Sequence, residues 1–287
     1  MLLGTVLLWS LNITVTRYLV TNGWKPLAYS TTRYLAATAL FWAFTWSRER
    51  SFAVSMRDSR LIAIAAAMIF LNQIAFVYSV KLTNASTVAL LLGTTPIFIG
   101  ILASLVRLER PSRTFWLAAV ISFVGVGLVA SGASGGFSSD ILGDLLAVAT
   151  AVSWGAYSVA IAPLMRRYSP FRISALVLAL GWIPLAVVSF RQVTSQEFSF
   201  GGLAWVGFAY AVVGPLFLTN ILWFTVIDRV GPSRASLFAN LQPFFAVVFA
   251  LLLLSEHLNR WEIAGGFAIA AGIVLERSRR PAAVPVE

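Results

Sequence analysis

The chain has 287 residues, of which 59% are hydrophobic and only 11% charged, with a net charge of +10, no cysteine and one histidine. A soluble domain is nearer half apolar and a quarter charged, so this composition belongs to a membrane class, without disulfides or thiolate metal sites. The arginines sit in short clusters between apolar runs, which reads as charge that orients helices and not as a nucleic-acid surface.

A helix needs about 20 apolar residues to cross the hydrocarbon core. Such runs occur at 2–20, 27–46, 61–81, 86–106, 114–132, 141–163, 171–190, 202–227, 234–254 and 262–275. The first lacks a basic start and a small-residue cleavage site, so it reads as a helix and not a secretion signal. The loops after the second, fourth, sixth and eighth runs and the C-terminal tail hold fourteen arginines, from Arg48 to Arg280. The other side holds only Lys25, Lys81, Arg191 and Arg260. By the positive-inside rule both termini are expected in the cytoplasm, with the chain threaded through a plasma (bacterial inner) membrane.

Within these runs the chain repeats itself. Shifted by 147 residues, positions 86–128 align on 233–275 without a gap, matching Pro96 with Pro243, Glu109 with Glu256 and Gly125 with Gly272. The same shift sets Asn72, Gln73 and Phe76 on Thr219, Asn220 and Trp223, and a shift of 145 sets Trp9 on Trp154. The expected architecture is an all-α polytopic membrane protein. Its ten transmembrane helices form two halves, 2–132 and 141–276, joined by a linker at 133–140 and followed by a tail at 277–287. Five is odd, so the second half enters the membrane from the opposite side, which makes an inverted repeat.

Pro96 lies ten residues into its run, close to mid-bilayer, and deprives the carbonyl of Leu92 of its partner; Pro243 does the same for Ala239. Two readings follow: a kinked helix lining a substrate cavity, which the recurrence favours, or a packing kink. Glu109 and Glu256 close the fourth and ninth runs. They are read as interfacial acids neutralising the N-terminus of the following helix, and alternatively as coupling sites, as is Asp144.

These features resemble the drug/metabolite transporter superfamily in its ten-helix form with two EamA-like domains. The likeness rests on LLWSLN (7–12), KPLAYSTTR (25–33) and the segments 84–96 and 109–128, then VSWGAY (152–157) and NILWFTVIDRVGPSRASLFANLQPFFAVVFALLLLSEHLNRWEIAGGFAIAAGIVLE (220–276). Trp9–Ser10 replaces the usual Trp-Gly, and the second copy has no arginine matching Arg33. The resemblance implies a secondary carrier, commonly an exporter of amino acids and other small metabolites, with a cavity lined by the first, third, fourth, sixth, eighth and ninth helices.

Polar residues inside a membrane mark candidate sites because hydrocarbon penalises them. Asn72, Gln73 and Phe76, with Asn220 and Trp223, pair an amide with an aromatic wall, which suits a small amphipathic metabolite. Asn12, Thr95, Tyr157, Asn240 and Gln242 lie within a turn of Trp9, Pro96, Trp154 or Pro243 and join the candidate substrate-binding set. Arg33 has two readings, receiving a substrate carboxylate or pairing with Asp144. A primary pump within the chain is excluded, because the lysines follow Trp24 and Val80 and no Gly-Lys of a phosphate loop exists. No metal or cofactor is expected; the partners are a small-molecule substrate and the lipid bilayer, and the oligomeric state is left open. The alternatives are a facilitative channel or a non-transporting scaffold and, less favoured, a membrane-embedded enzyme.

Overall fold

A computed structural model describes residues 1–83, 88, 91–132, 141–242, 244–245 and 260–277, and no strand occurs among them. The helices are α1 (Leu2–Thr21), α2 (Pro26–Glu49), α3 (Met56–Leu82), α4 (Thr95–Leu105), α5 (Arg113–Gly132), α6 (Ile141–Met165), α7 (Pro170–Thr194), α8 (Gly202–Val230), α9 (Pro232–Ala239) and α10 (Arg260–Arg277). Each falls on one of the expected apolar runs. The 133–140 linker, Pro243, Glu256, His257 and residues 278–287 lie outside the described residues.

Five helices (α1, α3, α6, α7 and α8) are long and apolar enough to cross a bilayer by length and composition, and α4, α5 and α10 contain shorter apolar helices. The second run behaves differently from its expectation. At 24 residues α2 is about 36 Å long, ample for a crossing, yet it is less apolar than those five. Thr31, Arg33 and Thr45, all buried, account for this, because they face protein and not lipid.

Local chemistry sets the helix ends. Pro26 and Pro170 occupy first-turn positions, where a missing N–H costs nothing. Ser55 and Ser169 cap α3 and α7 by accepting from Asp58 N (3.1 Å) and Arg172 N (3.1 Å). Between α8 and α9, Gly231 adopts φ 80°, a region that L side chains avoid.

One correction concerns Pro96. It does not kink a continuous helix; Gly93 and Thr94 form a turn, and α4 restarts at Thr95 with the proline in its first turn. Proline suits that position, so the chain breaks just ahead of it. The orphaned Leu92 carbonyl is satisfied by the Thr95 hydroxyl at 2.6 Å. The same break follows α9, where Asn240 and Leu241 form a turn 147 residues after Gly93 and Thr94. A further irregularity has no mate: α8 widens into a π-helical segment, Val213–Leu218, around Pro215.

Packing brings distant helices into register. α2 lies on α7, with the Trp182 indole donating to Thr31 O (3.1 Å) and that of Trp42 to Ala175 O (3.1 Å). α5 lies on α10, and α3 lies between α6 and α7. The principal apolar cluster joins Tyr34 and Phe41 of α2, Ile69 of α3, Leu164 of α6, Leu178 of α7 and Phe224 of α8. At one end Asp58 pairs with Arg167 (2.7 Å) and Glu49 with Arg172 (2.8 Å). At the other, Gln196 accepts from Lys25 N (2.8 Å).

Candidate functional site

A cavity of about 140 Å³ lies between the broken helices, similar to the roughly 150 Å³ void that accommodates a benzene in an apolar core. All the candidate substrate contacts read from sequence line it except Tyr157. α1 contributes Trp9 and Asn12, α2 contributes Arg33, and α3 contributes Asn72, Gln73 and Phe76. The first break supplies Gly93 and Thr95, and the second supplies Asn240 and Gln242. Trp154 of α6 and Asn220 and Trp223 of α8 complete the set.

Aromatic rings build one wall. Trp9 stands edge-on to Trp154 with centroids 5.3 Å apart and lies 5.1 Å from Trp223. The Trp9 indole donates to Thr219 Oγ1 at 3.0 Å, which fixes the ring's orientation. Thr219 in turn donates to the Pro215 carbonyl, inside the π-helical segment. A π-bulge beside a cavity is a common way to re-aim side chains.

A polar chain builds another part of the lining. Arg33 Nη2 donates to Gln73 Oε1 (2.8 Å), Gln73 Nε2 to Asn72 Oδ1 (3.1 Å), and Asn72 Nδ2 to the Thr150 carbonyl of α6 (2.9 Å). The amides expected to greet a ligand are thus occupied in holding one another. Asn220 is also engaged, accepting from the Tyr157 hydroxyl (3.1 Å) and donating to Leu216 O (2.5 Å). Tyr157 is fully buried and sits behind Asn220, so its place is in support of the wall and not on it.

Arg33 is 2% exposed and is the one charged residue among the described residues lining the cavity. Its guanidinium lies 4.9 Å from the Tyr29 ring centre and reaches the Tyr29 hydroxyl at 3.3 Å. The expected alternative partner, Asp144, is elsewhere: it accepts from Thr83 Oγ1 at 3.1 Å, where α3 ends and α6 begins. Among the described residues no carboxylate forms an ion pair with Arg33.

Glu109 is also placed differently from its expectation. Its carboxylate accepts from Ser233 N (3.2 Å) in the first turn of α9, so it caps a helix of the other half and not the following helix α5. Neither Glu109 nor Asp144 lines the cavity. Sequence reading missed Pro215, Leu216, Gly93 and Ser236 as lining residues. A proline thirteen residues into an apolar run was the available signal for Pro215.

Buried polar side chains around a cavity, on apolar helices of crossing length, define a multi-pass membrane protein with an internal cavity. The EamA-like transporter family matches residues 1–131 and 141–276, in two segments. The chain belongs to that family, and so to the two-domain members of the drug/metabolite transporter superfamily. Among its relatives is uncharacterized transporter YetK of Bacillus subtilis (strain 168), 23% identical over 263 residues that cover 88% of this chain and 79% of the relative. An uncharacterized transporter of Archaeoglobus fulgidus is 24% identical over 253 residues, covering 86% of each. A protein crystal structure shares the fold with a TM-score of 0.79 at 16% identity, over 96% of this chain and 94% of that one.

Proposed function

We propose that this membrane transporter is a secondary carrier. It exports a small amphipathic metabolite across the plasma membrane by alternating access, with both termini in the cytoplasm and the halves 2–132 and 141–276 inverted about the central cavity. One observation carries the reading: residues 147 apart, one from each half, line the same pocket. Gln73 and Asn220, Phe76 and Trp223, Gly93 and Asn240, and Thr95 and Gln242 are such mates. Shared lining by repeat mates supports a pseudo-twofold axis through the pocket, about which rocking of one half against the other would expose it to each side in turn. Trp9 against Trp154 fits the same axis, as do α2 against its counterpart α7 and α5 against α10.

The test is flux. Purified protein in sealed proteoliposomes is expected to give saturable uptake and counterflow of at least one small metabolite, in a screen run with and without a pH gradient. Flux that never saturates points to a channel and overturns the carrier. Topology is tested separately. The chain has no cysteine, so Glu109→Cys and Glu256→Cys provide single labels. They are expected to react from opposite sides, and reaction of both from one side overturns the inverted arrangement.

A further inference from the structure

We infer that the transported molecule carries a carboxylate, that the carboxylate seats on Arg33, and that its apolar body lies against the Trp9–Trp154–Trp223 wall. This rests on the carrier reading above and adds the substrate's head group.

Charge is the first reason. A guanidinium keeps its charge in proteins, and burying it without a counter-ion is among the costlier things a membrane helix can do. Arg33 is 2% exposed, and its partners are the neutral oxygens of Gln73, Tyr29 and Asn12, the last only at 3.5 Å. Among the described residues, none that lines the cavity supplies a compensating negative charge. A bound carboxylate would.

Unused hydrogen-bonding capacity is the second. Among the described residues, two that line the cavity have buried side-chain polar atoms without a hydrogen-bond partner, Arg33 Nε and Asn240 Nδ2, one from each half. Both are donors, so the complement is an acceptor. A carboxylate presents two oxygens with about four lone-pair directions, whereas an ammonium presents only donors. The first turn of α4 adds to this: Gly93 and Thr95 line the cavity at the start of an 11-residue helix, the end that carries partial positive charge.

Broken symmetry is the third. The polar and aromatic lining is written once per half, but the charge is not; the stretch of α7 that pairs with the Arg33 region of α2, Val177–Leu180, is wholly apolar. An arginine serving packing common to both halves would have a polar counterpart. A second basic cluster lies nearer the end of α2, where Lys25, Lys81 and Arg191 line a groove together with Pro26. Arg33 is seven residues beyond Pro26, about 10 Å along the helix, so groove and cavity carry charge of the same sign.

Size limits the body. About 140 Å³ suits a benzene-sized group with a small head.

The experiment uses full-length protein in proteoliposomes with a panel of carbon skeletons of about four to nine carbons. Each skeleton is offered as carboxylate, carboxamide and primary ammonium, with the matching α-amino acid as a fourth arm. Counterflow is expected for the carboxylate of at least one skeleton and not for its amide or ammonium; the amino-acid arm shows whether an added ammonium is tolerated. Arg33→Gln is expected to raise the half-saturation concentration by about tenfold to a hundredfold, the range for losing charged hydrogen bonds, with Arg33→Lys falling between. Gln73→Glu guards against a folding artefact. It sets a carboxylate 2.8 Å from Arg33 Nη2 in exchange for the Gln73 Nε2–Asn72 Oδ1 bond, so it is expected to leave the protein folded, with a Tm near wild type, while abolishing carboxylate flux. Saturable flux of amide or ammonium probes that Arg33→Gln leaves unchanged overturns the carboxylate site and leaves the carrier standing. Carboxylate flux that survives both Arg33→Gln and Gln73→Glu also overturns the site. No saturable flux of any head group from monodisperse protein overturns the carrier, and the site with it.

Discussion

Gly125 of α5 and Gly272 of α10 are repeat mates on helices that lie against each other, and adding one methyl group to either should push those helices apart. A Cβ placed on Gly125 falls 2.7 Å from the Gly265 carbonyl oxygen and 2.9 Å from the Ile269 nitrogen. One placed on Gly272 falls 2.8 Å from the Ala118 carbonyl oxygen. These are backbone atoms, so no rotamer change relieves the clash. Overpacking of this kind costs about 1–3 kcal/mol, offset by about 0.5–1 kcal/mol from replacing glycine with alanine inside a helix. Gly125→Ala is therefore expected to lose about 0.5–2 kcal/mol. For a chain of this size that is a fall in Tm of roughly 1–8 °C. The assay is thermal unfolding followed by tryptophan fluorescence in detergent, at one scan rate. Gly202→Ala is the control: a Cβ there meets nothing within 4 Å, and its Tm should stay level or rise. Combining Gly125→Ala with Gly272→Ala should cost less than the two summed, because the first methyl already separates the helices. Gly125→Ala as stable as wild type, beside an unchanged control, would refute the close-packing argument.

Thr95→Val removes the hydroxyl that satisfies Leu92 O and is expected to lower stability by about 1–3 kcal/mol, while Thr95→Ser preserves it; both are read by the same thermal assay. Tyr157→Phe leaves Asn220 Oδ1 without its donor, so flux should weaken severalfold and Tm fall, even though Tyr157 does not line the cavity. Glu109→Gln tests capping against proton coupling: the amide oxygen can still accept from Ser233 N, so flux and its response to a pH gradient should match wild type. Glu109→Ala should lower stability by about 1 kcal/mol through loss of the cap.

Much of the scaffold was legible because the bilayer imposes it. Unsatisfied backbone groups cannot face lipid, so apolar runs become helices, and each described helix falls on one of those runs, five of them long and apolar enough to cross a bilayer. The repeat was legible as well, and it foretold that Gln73 and Asn220, or Phe76 and Trp223, would share one pocket. One error lay in a local preference and the other in which helices abut. Pro96 was visible, but the break at Gly93–Thr94 reflects proline's preference for a first turn over an interior position. Glu109 was assigned to a helix terminus of the right chemistry but the wrong half, since its own neighbour α5 and the distant α9 offer the same free N–H groups.

Arg33 shows where that division falls. The sequence alone determined that a cation sits in an apolar run with no counterpart in the second copy, because residue identity and repeat register are properties of one dimension. Only the tertiary structure decided that its neighbours are Gln73, Tyr29 and Asn12 and not Asp144. Partner choice depends on which helices pack against α2 and at what height. That is set by the fit of surfaces hundreds of atoms across, such as α2 on α7 and α3 on α6, and no local stretch of chain encodes it.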